Sequence, residues 1–347
     1  GSISKVVNDD LDQIAVSRVD EALVGQVSGV NIQATDGEAG AAPTISIRGV
    51  GSMAGDSTPL IVVDGVIVDS DFLGSLNMND VESFEVLKDA ASSSIYGSKG
   101  ANGIIMISMK EGVEGKTRIS YNMFTGMKEA RHSDPYTFSI AETAAAELAA
   151  NGVLSDRTKY KQLIGIDRSW QDVIFDGGTI TSHALSVRGG NDKTKFITSL
   201  NYSDDEGVLL TDNFEKFGAR LKVDSKINDK FKIGANFSPS YTVRRRFDGS
   251  THDILRQTNW LPVRHDDNTI QYVDRGVYPN VQVGDYAFQR HFDNYDLYGD
   301  GSTLVDISNT SNTNPAAKVL ERERFDKKFK LYGSFYGQYE IIEGLNF

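Results

Sequence analysis

Residues 59–110, PLIVVDGVIVDSDFLGSLNMNDVESFEVLKDAASSSIYGSKGANGIIMISMK, are the stretch on which the reading of this chain turns. Within it, 60–63 and 103–109 are apolar runs of strand length, and 84–87 is a third. Turn residues separate them: Asp64-Gly65, then Gly97, Gly100 and Gly103. Buried strands alternating with tight turns predict a small, densely turned α/β unit. The stretch has no nucleophile beside a base and no cluster of metal-ligating side chains. Neither a catalytic residue nor a cofactor site is therefore expected in it.

The residues before it complete the unit. Ser17, followed by Asp20 and Glu21, predicts a helix over 18–27 that Gly29 ends. Residues 30–32 begin an extended segment, and 44–48 set Ile45 and Ile47 against Ser46 and Arg48, a half-buried strand ending at Gly49. A loop of small residues covers 51–58. Residues 79–82 predict one helical turn and 90–95 a short helix closed by Gly97. The sum is a mixed α/β domain over residues 1–115, a normal domain size at roughly 110 residues.

From Thr117 the pattern changes. Ile119, Tyr121, Met123 and Met127 alternate with Arg118, Ser120, Asn122 and Gly126, with Phe124 interrupting the polar row. The same period returns at 183–188, 195–202 and 217–224; in the last, Phe217, Ala219, Leu221 and Val223 oppose Gly218, Arg220, Lys222 and Asp224. In 231–243, Phe231, Ile233, Phe237 and Tyr241 oppose Lys232, Asn236, Ser238 and Ser240, and 329–341 repeats the scheme. Such strands, the longer ones about 9–13 residues, are apolar on one face and polar on the other, which fits a transmembrane β-barrel with a wet interior. A soluble β-sandwich, the alternative, uses strands of about 5–6 residues. Aromatics near the strand ends (Tyr202, Phe214, Phe231, Tyr241, Phe329) suit interfacial girdles. Short turns at 189–193, 228–230 and Glu343-Gly344 alternate with longer links at 129–180, 204–213 and 244–328, as periplasmic turns and extracellular loops do. Residues 116–347 therefore predict the opening strands, about six, of an antiparallel barrel.

Composition agrees. The 347 residues are 39% hydrophobic and rich in Gly (33), Tyr (14) and Phe (17), a mixture common in long antiparallel β proteins. A formal charge of −12 argues against a nucleic-acid binder, which needs clustered cations. Cysteine is absent from this sequence, so it offers no disulfide framework and no Cys-ligated metal. The histidines His132, His183, His252, His265 and His291 lack a metal-site spacing, so no metal is expected. No run of about 18 apolar residues crosses a bilayer as a helix. The first residues lack the layout of a signal peptide, and EIIEGLNF (340–347) looks like the opening of another strand. The expectation is a fragment of a longer barrel.

Four segments are specific. TISIRG (44–49), PLIVVDG (59–65), NDVESFEVLKD (79–89) and IYGSKGANGIIMISM (95–109) resemble the plug of TonB-dependent outer-membrane receptors, in the SusC/RagA branch of nutrient importers from Bacteroidota. SWQDVIF (169–175), LSVRGGNDKTKF (185–196), ARLKVDSKIND (219–229) and NPAAKVLERER (314–324) resemble early barrel segments of that branch. The resemblance implies a plugged barrel of about 22 strands. It implies the bacterial outer membrane, with the plug facing the periplasm and the long loops outside. It implies TonB-driven import of a glycan or peptide, with the TonB–ExbB–ExbD complex and a SusD-like surface lipoprotein as partners, and no enzymatic activity. In this family a TonB box precedes the plug; residues 1–16 contain none. A ligand-sensing receptor signalling to a periplasmic regulator, and a soluble β-rich adhesin, stand as alternatives at this point.

The plug motifs contribute Arg48, Gly49, Asp64, Gly65, Glu82, Glu85, Lys88, Tyr96, Gly97, Gly100, Asn102 and Gly103. Arg48, Glu82 and Glu85 are candidates for ion pairs to wall charges such as Arg188, Arg220 or Lys222. Such pairs are either a latch or ordinary domain packing, and solvated pairs contribute little. Gly97-Ser98-Lys99-Gly100 follows a predicted helix, not a strand, and so reads as turn glycines, not as a phosphate loop. The link 244–328 carries Trp260, Tyr272, Tyr278, Tyr286, Phe292 and Tyr295, whose flat faces could stack on sugar rings or peptide side chains. The competing reading is that they hold a long loop together or contact the lipoprotein. Asp204-Asp205-Glu206 and Asp266-Asp267 lack an EF-hand frame and are expected to be solvated.

Overall fold

The computed structural model describes residues 3–7, 18–33, 38–47, 49, 58–88, 94–130, 138–309, 313–342 and 345–347. Expectations for Ser17, Arg48, the loop 51–57, most of the helix 90–95 and the turn Glu343-Gly344 lie outside these residues.

The N-terminal unit holds two sheets. Strands β1 (Ile3–Val7), β4 (Leu60–Val63), β5 (Val66–Val68), β6 (Val81–Leu87) and β7 (Ile104–Met109) form one in the order β1-β6-β7-β4-β5. Strands β2 (Val30–Gln33) and β3 (Thr44–Ile47) pair separately. Only β4 and β7 run parallel, and β4 is covered on both faces. Ile61 and Val63 enter the main core with Phe84, Val86, Ile105 and Ile107, while Val62 meets Leu87 and Ile104 on the other side. That is why LIVV shows no alternation. Asp64 and Gly65, with φ of 46° and 82°, make the two-residue hairpin into β5 that their sequence predicts. Gly103 has φ 89°, and a Cβ there would sit 2.7 Å from Ile47 Cδ1, so the turn before β7 needs glycine twice over.

Two local expectations shift. The helix expected over 18–27 is only Val19–Ala22, because the chain leaves the helical region and Gly25 turns left-handed at φ 73°. Residues Ser94–Gly100 are 3-10 turns broken at Gly97 (φ 61°, ψ −148°). Strand β1 has no counterpart in the sequence reading.

Beyond the unit, β8 (Gly115–Lys128), β9 (Gly178–Gly190), β10 (Thr194–Glu206), β11 (Asn213–Asn228) and β12 (Phe231–Arg245) each pair antiparallel with the next. A small hairpin of β13 (Tyr295–Asp296) and β14 (Leu304–Val305) lies in the link that follows. Then β15 (Phe325–Ile342) joins β12, and β16 (Leu345–Asn346) joins β15. Every alternating run in the sequence is a strand, and each extends beyond the clean alternation. Asp204–Glu206 keep their register with Asn213–Glu215, so the long link expected at 204–213 shrinks to 207–212. The short turns 191–193 and 229–230 and the entry at Gly115 share one end of this wall; the links 129–177, 207–212 and 246–324 share the other.

The wall's burial is inverted relative to a water-soluble sheet. Ile119, Met127, Leu221, Phe237 and Phe335 are exposed, while Ser203, Lys216 and Arg220 are 2–3% exposed against the N-terminal unit. Apolar atoms face outward and polar atoms are hidden, as a lipid-embedded wall requires. Phe214 departs from the girdle expectation. It lies on the inward, even-numbered row of β11, buried over Gly40, where a Cβ would come within 2.3 Å of its ring.

The long links fold into a second core. Helices Ile140–Asn151, Asp156–Ile164, Trp170–Ile174, Thr251–Leu255 and Pro315–Leu320 pack around Trp170, Trp260, Phe292 and Val319. Ser139 and Glu142 form a capping box, Ser155 and Ser169 cap the next two helices, and Asn314 caps the helix opened by Pro315. SWQDVIF and NPAAKVL are thus helices of this dome, not wall strands.

Leu221 and Phe237 are cross-strand partners on the exposed row. In the full-length protein refolded into lipid vesicles, Leu221→Arg or Phe237→Arg is expected to cost about 2–4 kcal/mol at mid-membrane depth. Urea titration followed by heat-modifiable gel migration measures it, with Val277→Arg on the dome surface as control. Equal tolerance at all three positions would rule out a lipid-facing row.

Candidate functional site

The polar row of the wall closes on the N-terminal unit through a one-sided division of charge. Inward positions on β11, β12 and β15 supply cations: Lys216, Arg220, Lys222, Arg244, Lys328 and Lys330. The unit answers with carboxylates and backbone carbonyls. Arg220 Nη1 donates to Lys110 O (2.7 Å), and its Nη2 lies 3.5 Å from Asp64 Oδ2. Asp64 also accepts the Met109 N–H at 2.9 Å, so one carboxylate ties the β4–β5 hairpin, the end of β7 and the wall. Lys216 Nζ donates to Leu76 O at 2.9 Å, and the Tyr332 hydroxyl to Val63 O at 3.1 Å. Lys222 pairs with Glu111. Beneath Arg220, burial holds the Asp80 carboxyl above the usual range, while Arg220, Lys110 and Lys216 pull the other way.

Towards the dome end the same division continues. Arg244 Nη2 lies 2.6 Å from Glu38, which Arg246 also approaches at 3.5 Å. Lys328 pairs with Asp71 at 3.0 Å and its hydrogen bond lowers the Asp71 pKa, while Lys330 donates to the Asp71 carbonyl at 2.6 Å. One acid comes from the wall side. Asp212, in the turn 207–212, accepts the Ala39 N–H at 2.5 Å. Burial pushes its carboxyl up to about 7, Glu38 and Asp205 adding to the rise and Ala39 and Arg244 opposing it.

The residues singled out in the sequence divide accordingly. Of the expected wall partners, Arg220 and Lys222 are engaged, but by Asp64 and Glu111. Glu85 pairs with Lys5 at 2.8 Å because β1 places Lys5 opposite it, and Glu82 is exposed; neither acid reaches the wall. Lys88 holds β1 to the first helix's exit, donating to Ser4 Oγ (2.7 Å) and to the Ser28 carbonyl. Tyr96 packs on the β4–β7 face, Gly100 O accepts the Gly103 N–H at 3.0 Å, and Asn102 is half-buried beside them. Gly49 is exposed at φ 90°. Sequence reasoning missed Lys216, Arg244, Lys328 and Lys330, although each shares the parity that marks Arg220.

The loop aromatics face one another. Tyr160 stacks on Tyr295 at 4.4 Å and meets Tyr272 edge-on; Trp260 meets Phe292 edge-on at 5.4 Å. Tyr286 carries Arg264 over its ring at 3.7 Å, and Tyr278 leans on His291. His265 and His291 share a hydrogen bond of 2.9 Å inside the dome; burial, with His291 beside it, lowers the His265 pKa to about 4. No group of three or more metal-ligating side chains converges among the described residues.

A compact α/β unit clasped by an inverted strand wall is the arrangement of a plug domain against the opening strands of a β-barrel. Residues 1–104 match the TonB-dependent Receptor Plug Domain family. TonB-dependent receptor P26 of Formosa agariphila is 36% identical over 252 residues, covering 70% of this chain and 25% of the relative. TonB-dependent receptor SusC of Bacteroides thetaiotaomicron is 31% identical over 248 residues, 68% of this chain and 24% of the relative. The structure of the RagAB peptide transporter matches 100% of this chain and 40% of its own, with TM-score 0.77 and 26% identity. The chain belongs to the TonB-dependent receptors, and among them to the SusC/RagA type. It spans about a quarter of the length of these two curated relatives.

Removing Arg220, itself 3% exposed, leaves the partly exposed Asp64 carboxylate and the Lys110 carbonyl without their donor from the wall. Arg220→Met in the full-length protein is expected to destabilise the plug–wall contact by about 1–3 kcal/mol, the cost of an acceptor left without its donor. In planar bilayers this appears as leak conductance; an Arg220→Met channel as tight as wild type argues against the clasp. Asp212 gives a pH signature. Its raised pKa means the folded state holds a proton that the unfolded state releases, so its contribution falls as pH rises from about 4 to about 7. Asp212→Asn is therefore expected to match wild-type thermal stability at pH 4 and exceed it at pH 8. A variant-minus-wild-type difference that does not change with pH contradicts this assignment.

Proposed function

We propose that the whole protein imports a nutrient oligomer, a glycan or a peptide, across the bacterial outer membrane, with residues 1–115 as the gate and residues 116–347 as the start of a barrel of about 22 strands. The observation that carries this is the inverted wall. A row of buried cations neutralised by acids and carbonyls of a separately folded unit serves a lumen that must be closed at rest and opened on demand. The plug faces the periplasm, where TonB, energised through ExbB and ExbD, engages the chain ahead of the plug. The dome and long links lie outside, where a SusD-like lipoprotein delivers cargo.

Several features support this orientation. Short turns gather at the end where the plug enters the wall, and the long links gather at the other, as in outer-membrane barrels. The plug–wall contacts are polar and individually modest, unlike the plug's own apolar core. A body with a tight core and a polar rim can move without unfolding.

Asn122 Nδ2 on β8 donates to Asn79 Oδ1 on the plug at 2.9 Å. Asn79→Cys with Asn122→Cys, joined by a thiol-cleavable cross-linker, is expected to reduce uptake of labelled oligomer by whole cells to the level of a TonB-deficient strain. Reduction should restore it. Uptake unaffected by the cross-link contradicts a moving plug, and uptake independent of TonB contradicts the import reading.

A further inference from the structure

The outward face of the wall ends, on the dome side, in a rim divided by charge. Across β10, β11, β12 and β15 the outward rows bring Tyr202, Phe217, Tyr241 and Phe329 into register. One step nearer the dome, the same four strands carry Asp204, Glu215, Val243 and Lys327. A further step brings Glu206, Asn213, Arg245 and Phe325. Acids thus occupy the β10–β11 seam, and cations the β12–β15 seam.

Arg245 and Lys327 are diagonal neighbours across the β12–β15 pair. Phe325 gathers them: Arg245 Cζ lies 5.9 Å and Lys327 Nζ 5.8 Å from the centre of its ring. Glu323 stands 3.8 Å from Arg245, beyond hydrogen-bond reach, and Lys327 has no ion pair among the described residues. Exposed cations are ordinary on a face that meets water. This face is the lipid-facing one, and below the pair the same two strands present Phe329, Leu331, Tyr241 and Phe237, each 42–68% exposed. Two positive charges set above an apolar track complement an amphiphile whose anionic head lies above its acyl chains.

We propose that the β12–β15 seam binds a phosphorylated lipid of the outer leaflet, a lipid A phosphate lying between Arg245 and Lys327 and its acyl chains along Phe329, Leu331 and Phe237. The inference rests on the orientation that puts the dome outside, and is independent of import. That orientation sets the seam's cations at the outer leaflet, where the phosphate-bearing lipid is lipid A. The neighbouring seam excludes the same headgroup, because Asp204 and Glu215 at equal height repel a phosphate. Selectivity therefore comes from one pair of strands and not from the rim as a whole.

The test titrates the full-length protein in detergent with monophosphoryl lipid A, its phosphate-free form, phosphatidylglycerol and inorganic phosphate, and counts bound molecules by native mass spectrometry. Monophosphoryl lipid A is expected to bind about tenfold tighter than the phosphate-free form, the difference one charge-assisted hydrogen bond makes. Arg245→Gln and Lys327→Gln should each reduce that preference and together abolish it, whereas Arg245→Lys with Lys327→Arg keeps it. Heat-modifiable migration checks that each variant folds. Equal affinity for the two forms, or a preference that survives the double Gln substitution, overturns the site. Phosphatidylglycerol held as tightly through the same two residues overturns the outer-leaflet assignment. Inorganic phosphate bound there as strongly as the lipid overturns the lipid assignment. The readout is bound lipid, so TonB-independent uptake of cargo would refute the import reading and leave this one standing.

Discussion

A strand that turns its apolar row to lipid has to hide its polar row, and Arg220 shows what hiding it demands. Its guanidinium is almost fully buried, so its charge must be met inside the wall. Asp64 and the Lys110 carbonyl meet it, and both belong to the other folded unit. Neither part is therefore complete alone. The wall without the plug exposes a row of cations to an open lumen; the plug without the wall loses Arg220 from Asp64 and Lys328 from Asp71. The tight β4–β5 hairpin matters for this reason, since its left-handed Asp64 presents a carboxylate to Met109 and Arg220 together.

The turn 207–212 joins regions that otherwise meet little. Leu209 is part of the dome core and bridges to Phe175, while Asp212 accepts the Ala39 N–H of the plug and Phe214 covers Gly40. Leu209, Asp212 and Phe214 thus bring one short segment into contact with both the dome and the plug. The expected long loop at this place is absent because Asp204, Asp205 and Glu206 find register partners in Asn213, Phe214 and Glu215. Pairing shortens the connection until it can serve as a brace.

Much of this was legible in residue order. Parity alone located the wall: wherever Phe, Leu and Tyr alternated with Lys, Ser and Asn, a strand exists, and in β11 and β12 its apolar set is the more exposed one. LIVV and the Asp64-Gly65 turn located the plug's central strand and hairpin. What stayed hidden has physical causes. Glu85 looked available for the wall because its register partner Lys5 lies in a strand too short to announce itself. Trp260 and Phe292 looked like a binding surface because composition cannot tell a stacked core from an open platform. The dome's helices left signals (Ser139 with Glu142, Asn314 with Pro315, Gly152 and Gly165 past helix ends), but short amphipathic helices of few turns are outweighed by long period-two runs around them. The plug–wall pairs were half legible, since parity names the inward cations and nothing in one sequence names their partners.

Among the described residues, strand β1 sits at the margin of its sheet, paired with β6 through the register pairs from Ile3–Leu87 to Val7–Ser83. A mechanical load applied to the chain ahead of Ile3 therefore meets a seam before it meets a body. Peeling β1 away breaks one ladder, the Lys5–Glu85 pair and the Lys88 tie to Ser4, and it leaves β6-β7-β4-β5 with their core residues in place. The unit consequently has two yield points, a low one at its margin and a high one at its centre. A tether attached there can lengthen the chain by a strand's reach while the rest keeps its shape.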